Sequence, residues 1–298
     1  MFESEASDLV GNDQNGVADV FLRDLAAQKP ILISANTNKL RSGLGASGGA
    51  TMTPDAQFVV FDSIAPDLVM NDGDDREDIF IWERKTGATT LISVEAERPG
   101  TGAENYTTPS LTSDGRFVLF LGRATNDWRR SEVYLRDRSS DTTHWVSSNV
   151  WSFRESFPMV LTSAIVVLSS NRYQTNLVIQ TNALCVNPAL SDNGRYIAFK
   201  TVSSQDRAMV LYHDVQSGIS TLVSTNAVGN LLDFSDLSGP AMTPDGRSLA
   251  FVSRATNKTP AIVQIWDAAT GQLDLASPTV AGGISVTGDA DTPLLSGD

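Results

Sequence analysis

Histidine and cysteine are almost absent from this chain of 298 residues, which has two of the first and one of the second. A single cysteine excludes an intrachain disulfide. Cys185 lies in the apolar run Ala-Leu-Cys-Val, where a small core residue is expected rather than a nucleophile. Two histidines leave little room for imidazole-based metal or acid–base chemistry. Positive charge is also short: 22 Lys and Arg stand against 35 Asp and Glu, a net charge of -13. Binding to phosphate backbones needs concentrated Lys and Arg, so nucleic acid is not an expected partner. Cations, basic partners or plain solubility suit such a surface better. No apolar run approaches the roughly 18 residues of a membrane span. The chain opens Met-Phe-Glu-Ser, without the basic region and apolar segment of a signal peptide.

Repetition is what the chain has in quantity. Thr53-Pro54-Asp55-Ala56, Ser113-Asp114-Gly115-Arg116, Asp192-Asn193-Gly194-Arg195 and Pro244-Asp245-Gly246-Arg247 read as one hairpin turn. Each precedes an apolar strand: FVVF from Phe58, FVLF from Phe117, YIAF from Tyr196, SLAF from Ser248. A third strand ends on Asp24, Glu83, Asp137, Asp214 or Asp267, and three of these reach a turn glycine, Gly87, Gly218 or Gly271. A fourth strand closes each unit, as in TLIS from Thr90 and TLVS from Thr221.

Four antiparallel strands at a period of about 50 residues predict a β-propeller blade. No blade buries its apolar face alone, and radial packing gives a continuous core. First strands begin near Ala50, Pro109, Pro158, Pro188, Pro240 and Pro293, a count of six. The segment from Pro158 to Pro188 lacks the Asp-Gly turn and is read as a shortened blade; the alternative is five blades with that segment inserted. Thr292–Asp298 matches a first strand, and Phe2 aligns with Phe120 on a second strand. The expectation is an all-β, six-bladed propeller forming one domain over 1–298, closed by the C-terminal strand joining the blade of residues 1–34.

The repeat P-x-L-[ST]-x-D-G-R-[FY]-[VI]-x-F-x-S, followed by D-[VI]-[FY]-x-x-D and L-[IV]-S, resembles the WD40-like repeats of TolB-type propellers. The best copies are 107–147, 187–224 and 239–277, with a longer form at 7–34 and 50–93. The resemblance implies a fold more than a function, because such propellers serve both as binding modules and as non-catalytic partners of hydrolase domains. Neither an α/β-hydrolase domain after the repeats nor a Gly-x-Ser-x-Gly nucleophile elbow is expected. The expected function is a non-catalytic recognition or scaffold module of a bacterial secreted, periplasmic or cell-surface protein. It would bind protein or glycan through its loop face, as a monomer or as a module of a larger chain. Long polar loops such as Ala35–Gly49 and Glu95–Tyr106 are where binding residues would collect. The alternatives are a polysaccharide lyase or hydrolase working at the central cleft, and a structural repeat of a large adhesin.

Candidate chemistry is sparse. His213 falls in a column otherwise held by Arg23, Trp82, Arg136 and Trp266, which marks a strand position rather than a catalytic one. His144 lies on an outermost strand and is expected to be exposed. The acids that end the third strands, and the turn acids Asp55, Asp114, Asp192 and Asp245, are expected to accept turn amides. Trp82 and Trp266 are expected on third strands; Trp128 and Trp151 are loop-like, and core packing is favoured over a saccharide platform. The turns lack the tryptophan of a sialidase Asp-box.

Two loops between second and third strands share a spacing. Asp13, Asn15 and Asp19, and Asp72, Asp74 and Asp78, put oxygen ligands at offsets 0, 2 and 6. Alternate acids on a tight loop can direct three oxygens at one calcium ion. The distal bidentate Glu of an EF-hand is missing, and the alternative is a solvated turn in which Asp and Asn cap amides.

Overall fold

The structure is a computed structural model that describes residues 1–26, 28–72, 74–94, 104–124, 131–148, 150, 161–169, 172–179, 184–202, 208–224, 239–253, 262–276 and 294–295. It is all-β. The first sheet holds β1 (Phe2–Ser4), β2 (Asp19–Arg23) and β3 (Pro30–Leu32). The second is a four-stranded meander of β4 (Ser47–Met52), β5 (Phe58–Ser63), β6 (Asp78–Glu83) and β7 (Ala88–Leu91). The third repeats it with β8 (Glu104–Leu111), β9 (Phe117–Ala124), β10 (Ser131–Asp137) and β11 (Thr142–Trp145). A hairpin follows, β12 (Leu161–Ser169) and β13 (Arg172–Ile179). Then come β14 (Leu184–Leu190), β15 (Tyr196–Val202), β16 (Ala208–Asp214) and β17 (Ile219–Leu222). The last meander is β18 (Ala241–Met242), β19 (Ser248–Ser253), β20 (Ile262–Asp267) and β21 (Leu273–Leu275). No helix among the described residues is long and apolar enough to cross a membrane.

The strands of the three inner sheets are apolar on both faces because each of these sheets lies between two others. Val59 and Phe61 of β5 pack with Val20 and Leu22 of the first sheet. Val60, between them, points the other way, toward Val118 and Phe120 of the third. Leu119 and Leu135 of the third sheet meet Ile197 and Phe199. Ala198 and Tyr212 meet Phe251 and Trp266 of the last sheet. The core is therefore a series of layers between successive sheets. Phe2 stacks on Phe21 opposite it, with ring centroids 5.4 Å apart. Phe61 on Phe80, and Phe120 on Tyr134, repeat that pairing at 5.8 and 5.7 Å. The alignment of Phe2 with Phe120 is thus met in space, and β1 is a second strand.

The count of six is where structure and sequence reading part. The third sheet packs directly on β14–β17, and Ser131 of β10 pairs with Leu184 of β14. The hairpin β12–β13 is not a layer between them and pairs with no other strand among the described residues. Thirty residues cannot supply the four strands a layer needs, so the neighbouring sheets meet each other instead. The closure is likewise unmet: β1 has no strand on its free edge among the described residues, and most of 292–298 lies outside them.

The hairpin turns are held alike. Asp114 Oδ1 accepts the Arg116 amide at 2.9 Å and the Thr112 hydroxyl at 2.6 Å. Asp55 and Asp245 do the same with Gln57 and Thr53, and with Arg247 and Thr243. In the fourth copy Asn193, not Asp192, holds this place, accepting from Arg195 at 3.0 Å and Ser191 at 2.7 Å. Asp192 instead crosses to the preceding sheet, where it accepts the Ser113 amide at 2.8 Å and its hydroxyl at 2.9 Å.

Candidate functional site

The loops joining second to third strands carry the proposed ligand residues. In four units the third strand is pinned by a serine just after the fourth strand, Ser224 doing so at the Val210 amide at 3.1 Å. Ser34 Oγ accepts from the Val20 amide, Ser93 from Ile79 and Ser147 from Val133, at 3.1, 3.2 and 3.0 Å. The residue before that amide is an acid in all three: Asp19, Asp78 and Glu132. Each accepts the serine hydroxyl in return, Asp19 at 2.5 Å and Glu132 at 2.5 Å, with Asp78 in the same bond. In these three units the serine therefore fixes a carboxylate as well as the strand, whereas beside Ser224 the corresponding residue is Met209.

In the first loop Asp19 is fully buried, and its other oxygen takes the Asn15 amide at 2.8 Å. Burial pushes the Asp19 carboxyl up to about 6 against its bonds to Ser34 and Asn15, and nearby Asp13 adds to the rise. Asp13 is only 4% exposed, and neither of its oxygens has a hydrogen-bond partner. Asn15 Oδ1 accepts the Val17 amide at 3.1 Å, so its amide spans the loop and its oxygen caps a turn. In the second loop Asp72, Asp74 and Asp78 each bring an oxygen within 4.8 Å of the others. Asp72 is 9% exposed, and its Oδ2 has no partner. Burial pushes Asp78 up to about 6, opposed by Ser93 and reinforced by Asp72 and Asp74. Asp74 caps the Arg76 amide at 3.0 Å and pairs with the Arg76 guanidinium at 3.2 Å. Turn capping thus accounts for the middle residue of each loop and for Asp72 Oδ1, which takes the Asp74 amide at 3.4 Å, and leaves over Asp13 and the second oxygen of Asp72.

A second acidic group was not read from the sequence. Glu3 accepts the Ala50 amide at 3.1 Å, and Asp62 takes a hydrogen bond from the Thr108 backbone. Both acceptors sit opposite bulges in the first strand of the next sheet, where Gly49 and Thr108 have positive φ. Burial, with Glu3 adding, pushes Asp62 up to about 6. Nearby Glu77 is raised by burial and by Asp62, with Arg123 opposing. These acids brace neighbouring sheets through backbone irregularities that only the fold creates.

The remaining candidates are structural. His213 is buried, with Nδ1 2.9 Å from Ser220 Oγ, and burial lowers its pKa. His144 is exposed. Cys185 is fully buried, and burial drives its thiol pKa up. Trp82 and Trp266 are core residues, while Trp145 is half-buried and donates to Glu132 at 3.2 Å. Trp128 and Trp151 lie outside the described residues. One stretch does carry the elbow spacing, contrary to expectation: Gly45-Ala46-Ser47-Gly48-Gly49. Ser47 opens β4, is buried, and bonds Ser63 Oγ at 2.8 Å, so no exposed strand-to-helix elbow forms there.

Loops 35–46 and 64–77 are locked together through Asp67. Its carbonyl accepts the Thr37 amide at 2.8 Å, its carboxylate accepts the Leu44 amide at 2.8 Å, and Arg41 pairs with it at 3.6 Å. These two loops expose Leu40 (74%), Leu44, Ile64 and Met70 (89%). Further out, a groove of about 350 Å3 between β3 and β7 is lined by Ile31, Lys39, Trp82 and Thr89.

No family model matches the chain, and no curated protein matches it. Its structural neighbours are TolB and other β-propeller domains at low identity. A puromycin-hydrolyzing peptidase of Mycobacterium tuberculosis aligns with a TM-score of 0.51 and 13% identity, over 94% of this chain and 37% of the peptidase. TolB from Acinetobacter baumannii aligns at 0.45 and 14%, over 93% of this chain and 51% of TolB. TolB from Agrobacterium tumefaciens aligns at 0.42 and 15%, over 88% and 73%. The chain thus spans about half of the Acinetobacter protein and little more than a third of the peptidase. The peptidase alignment supports the propeller fold and nothing further.

Proposed function

We propose that this chain is a non-catalytic recognition propeller of a bacterial secreted, periplasmic or cell-surface protein, and that it binds a protein partner through the end bearing loops 35–46 and 64–77. The observation that carries the reading is the exposure of Leu40, Leu44, Ile64 and Met70 on backbone held rigid through Asp67. Aliphatic side chains kept in water on a fixed frame gain most from being covered by another protein. A glycan surface would ask for exposed aromatics, and Trp82 and Trp266 are buried.

The reading is tested by comparing capture from a cell-envelope extract by the wild type and by Leu40→Ser/Met70→Ser. The expected result is a protein retained by the wild type and lost by the variant, with the two melting alike. Equal retention overturns the loop-face assignment. A glycan array with a reducing-end assay is the second arm, and release of reducing ends overturns the non-catalytic reading.

The architecture that goes with this function is a closed ring. Five sheets, with β12–β13 as an insertion, follow the weighed alternative to six blades. In this proposal Thr292–Asp298 supplies the first strand missing beside β1. Support comes from the sequence match of Pro293-Leu294-Leu295-Ser296 to the first strand at Pro109 and from the free edge of β1.

A further inference from the structure

We infer that the loops 13–19 and 72–78 each bind one calcium ion. The inference does not rest on the recognition reading, since it concerns the ion and not the partner. Two observations meet at the second loop, and the first loop carries the same pair of features with only Asp13 beside Asp19. One is a set of acids closing on a common point, with Asp72, Asp74 and Asp78 within 4.8 Å of one another at the second loop. The other is buried carboxylate oxygen without a hydrogen-bond donor: both oxygens of Asp13, and Oδ2 of Asp72, whose Oδ1 takes the Asp74 amide at 3.4 Å. A buried carboxylate oxygen without a donor is costly, and two carboxylates facing each other are costlier. A cation between them removes both penalties.

The third unit serves as an internal control. Its Glu132 stands where Asp19 and Asp78 stand, and its Oε2 accepts both Ser147 Oγ and Trp145 Nε1, at 2.5 and 3.2 Å. Neutral donors satisfy that carboxylate without an ion. The first two units instead add a further acid, Asp13 or Asp72, beside the corresponding carboxylate. Arg76 does not fill the gap at the second loop, because it pairs with Asp74 on the exposed side.

Oxygen-only ligands on an irregular loop suit calcium, which accepts six to eight oxygens at flexible geometry, better than magnesium, which demands an octahedron. At the second loop three carboxylates are available. At the first, Asn15 turns its nitrogen toward Asp19, leaving Asp13 and Asp19 with loop carbonyls and water. The loop 72–78 is therefore the tighter site. The ions would also fix the loops next to the exposed aliphatic face, since Gln14 donates to Ser42 between Leu40 and Leu44.

The test uses the full chain, stripped with EDTA. Equilibrium dialysis against radioactive calcium should count two ions per chain. Asp13→Asn and Asp72→Asn should each leave one, and the double variant none. Calcium at a hundredfold over its Kd should raise the melting temperature by about 10 °C in the wild type, with both sites filled, and not in the double variant. Without calcium the double variant should melt no lower than the wild type, because the facing charges are gone. Asp74→Asn changes an exposed residue, keeps an oxygen for the Arg76 amide, and should weaken the second site about tenfold. No bound calcium, unchanged binding in the double variant, or an equal response to magnesium would each overturn the assignment.

Discussion

Gly194 and Gly218 have nearly the same backbone, φ +70° and +69°, and opposite surroundings. A Cβ on Gly194 would run into the Phe117 ring of the preceding sheet, whereas a Cβ on Gly218 meets nothing. Gly115 lies against Phe58, and Gly246 against Tyr196, in the same way. Arg138 completes one of these sites from the other side, 4.5 Å over the Phe58 ring. The two glycines therefore separate two costs. Alanine at either position meets the left-handed penalty of about 1–2 kcal/mol. At Gly194 the overlap adds about 1–3 kcal/mol. Urea unfolding of Gly194→Ala and Gly218→Ala should show the first clearly less stable, and equal losses would mean that the aromatic contact carries no energy. Gly194, in Asn193-Gly194-Arg195, was legible in the sequence as a turn residue. Its second duty was not, because the ring that needs the space belongs to another repeat, 77 positions upstream at Phe117.

At the scale of the strand and its turns, the acids ending the third strands were legible as amide acceptors, and they are: Asp137 accepts from Ser139 at 2.9 Å and Asp214 from Gln216 at 3.0 Å. The sequence did not show that the arginines of the three Gly-Arg turns, Arg116, Arg195 and Arg247, reach the same acids. Arg116 grips Asp137 through Nε and a terminal nitrogen at 2.9 and 2.8 Å, and Arg195 grips Asp214 at 3.0 and 2.8 Å. These hydrogen bonds hold both carboxyls down at about 2. A carboxyl whose folded pKa is depressed stabilises the fold above its ordinary pKa, near 4, and loses that contribution as pH falls through the folded value. The melting temperature should therefore drop between about pH 4 and pH 2. Arg116→Gln/Arg195→Gln should lower stability at neutral pH and flatten that acid limb. A limb of unchanged steepness would show that other carboxylates govern acid unfolding.

Across the whole molecule, the repeated turn and strand pattern made the all-β propeller legible, because each unit states its own meander. The order of packing was not contained in any unit. It emerges from contacts such as Leu119 with Ile197, which join the third sheet to β14–β17 and leave β12–β13 outside the layers. Ring closure is the remaining question at this scale, and it makes a direct prediction. In every four-stranded sheet the second strand is covered by a first strand, as β5 is by β4 and β9 by β8. Among the described residues β1 lacks that cover, so its edge presents unpaired backbone and the exposed ring of Phe2, while Phe21 behind it is buried. An uncovered edge is both a loss of hydrogen bonds and a hazard for association. If Thr292–Asp298 occupies it, deleting those seven residues exposes the edge. The melting temperature should then fall by several degrees, since each 1 kcal/mol is worth roughly 2–4 °C in a protein approaching this size. Amide exchange at Phe2–Ser4 should quicken by at least about tenfold, because these are the groups the strand would pair, and a tenfold change needs only about 1.4 kcal/mol of local stability. Exchange at β20, on the far side of the last sheet, should change less. A truncated chain that melts like the whole one, with Phe2–Ser4 exchanging at the same rate, would show that the terminal segment does not close the ring.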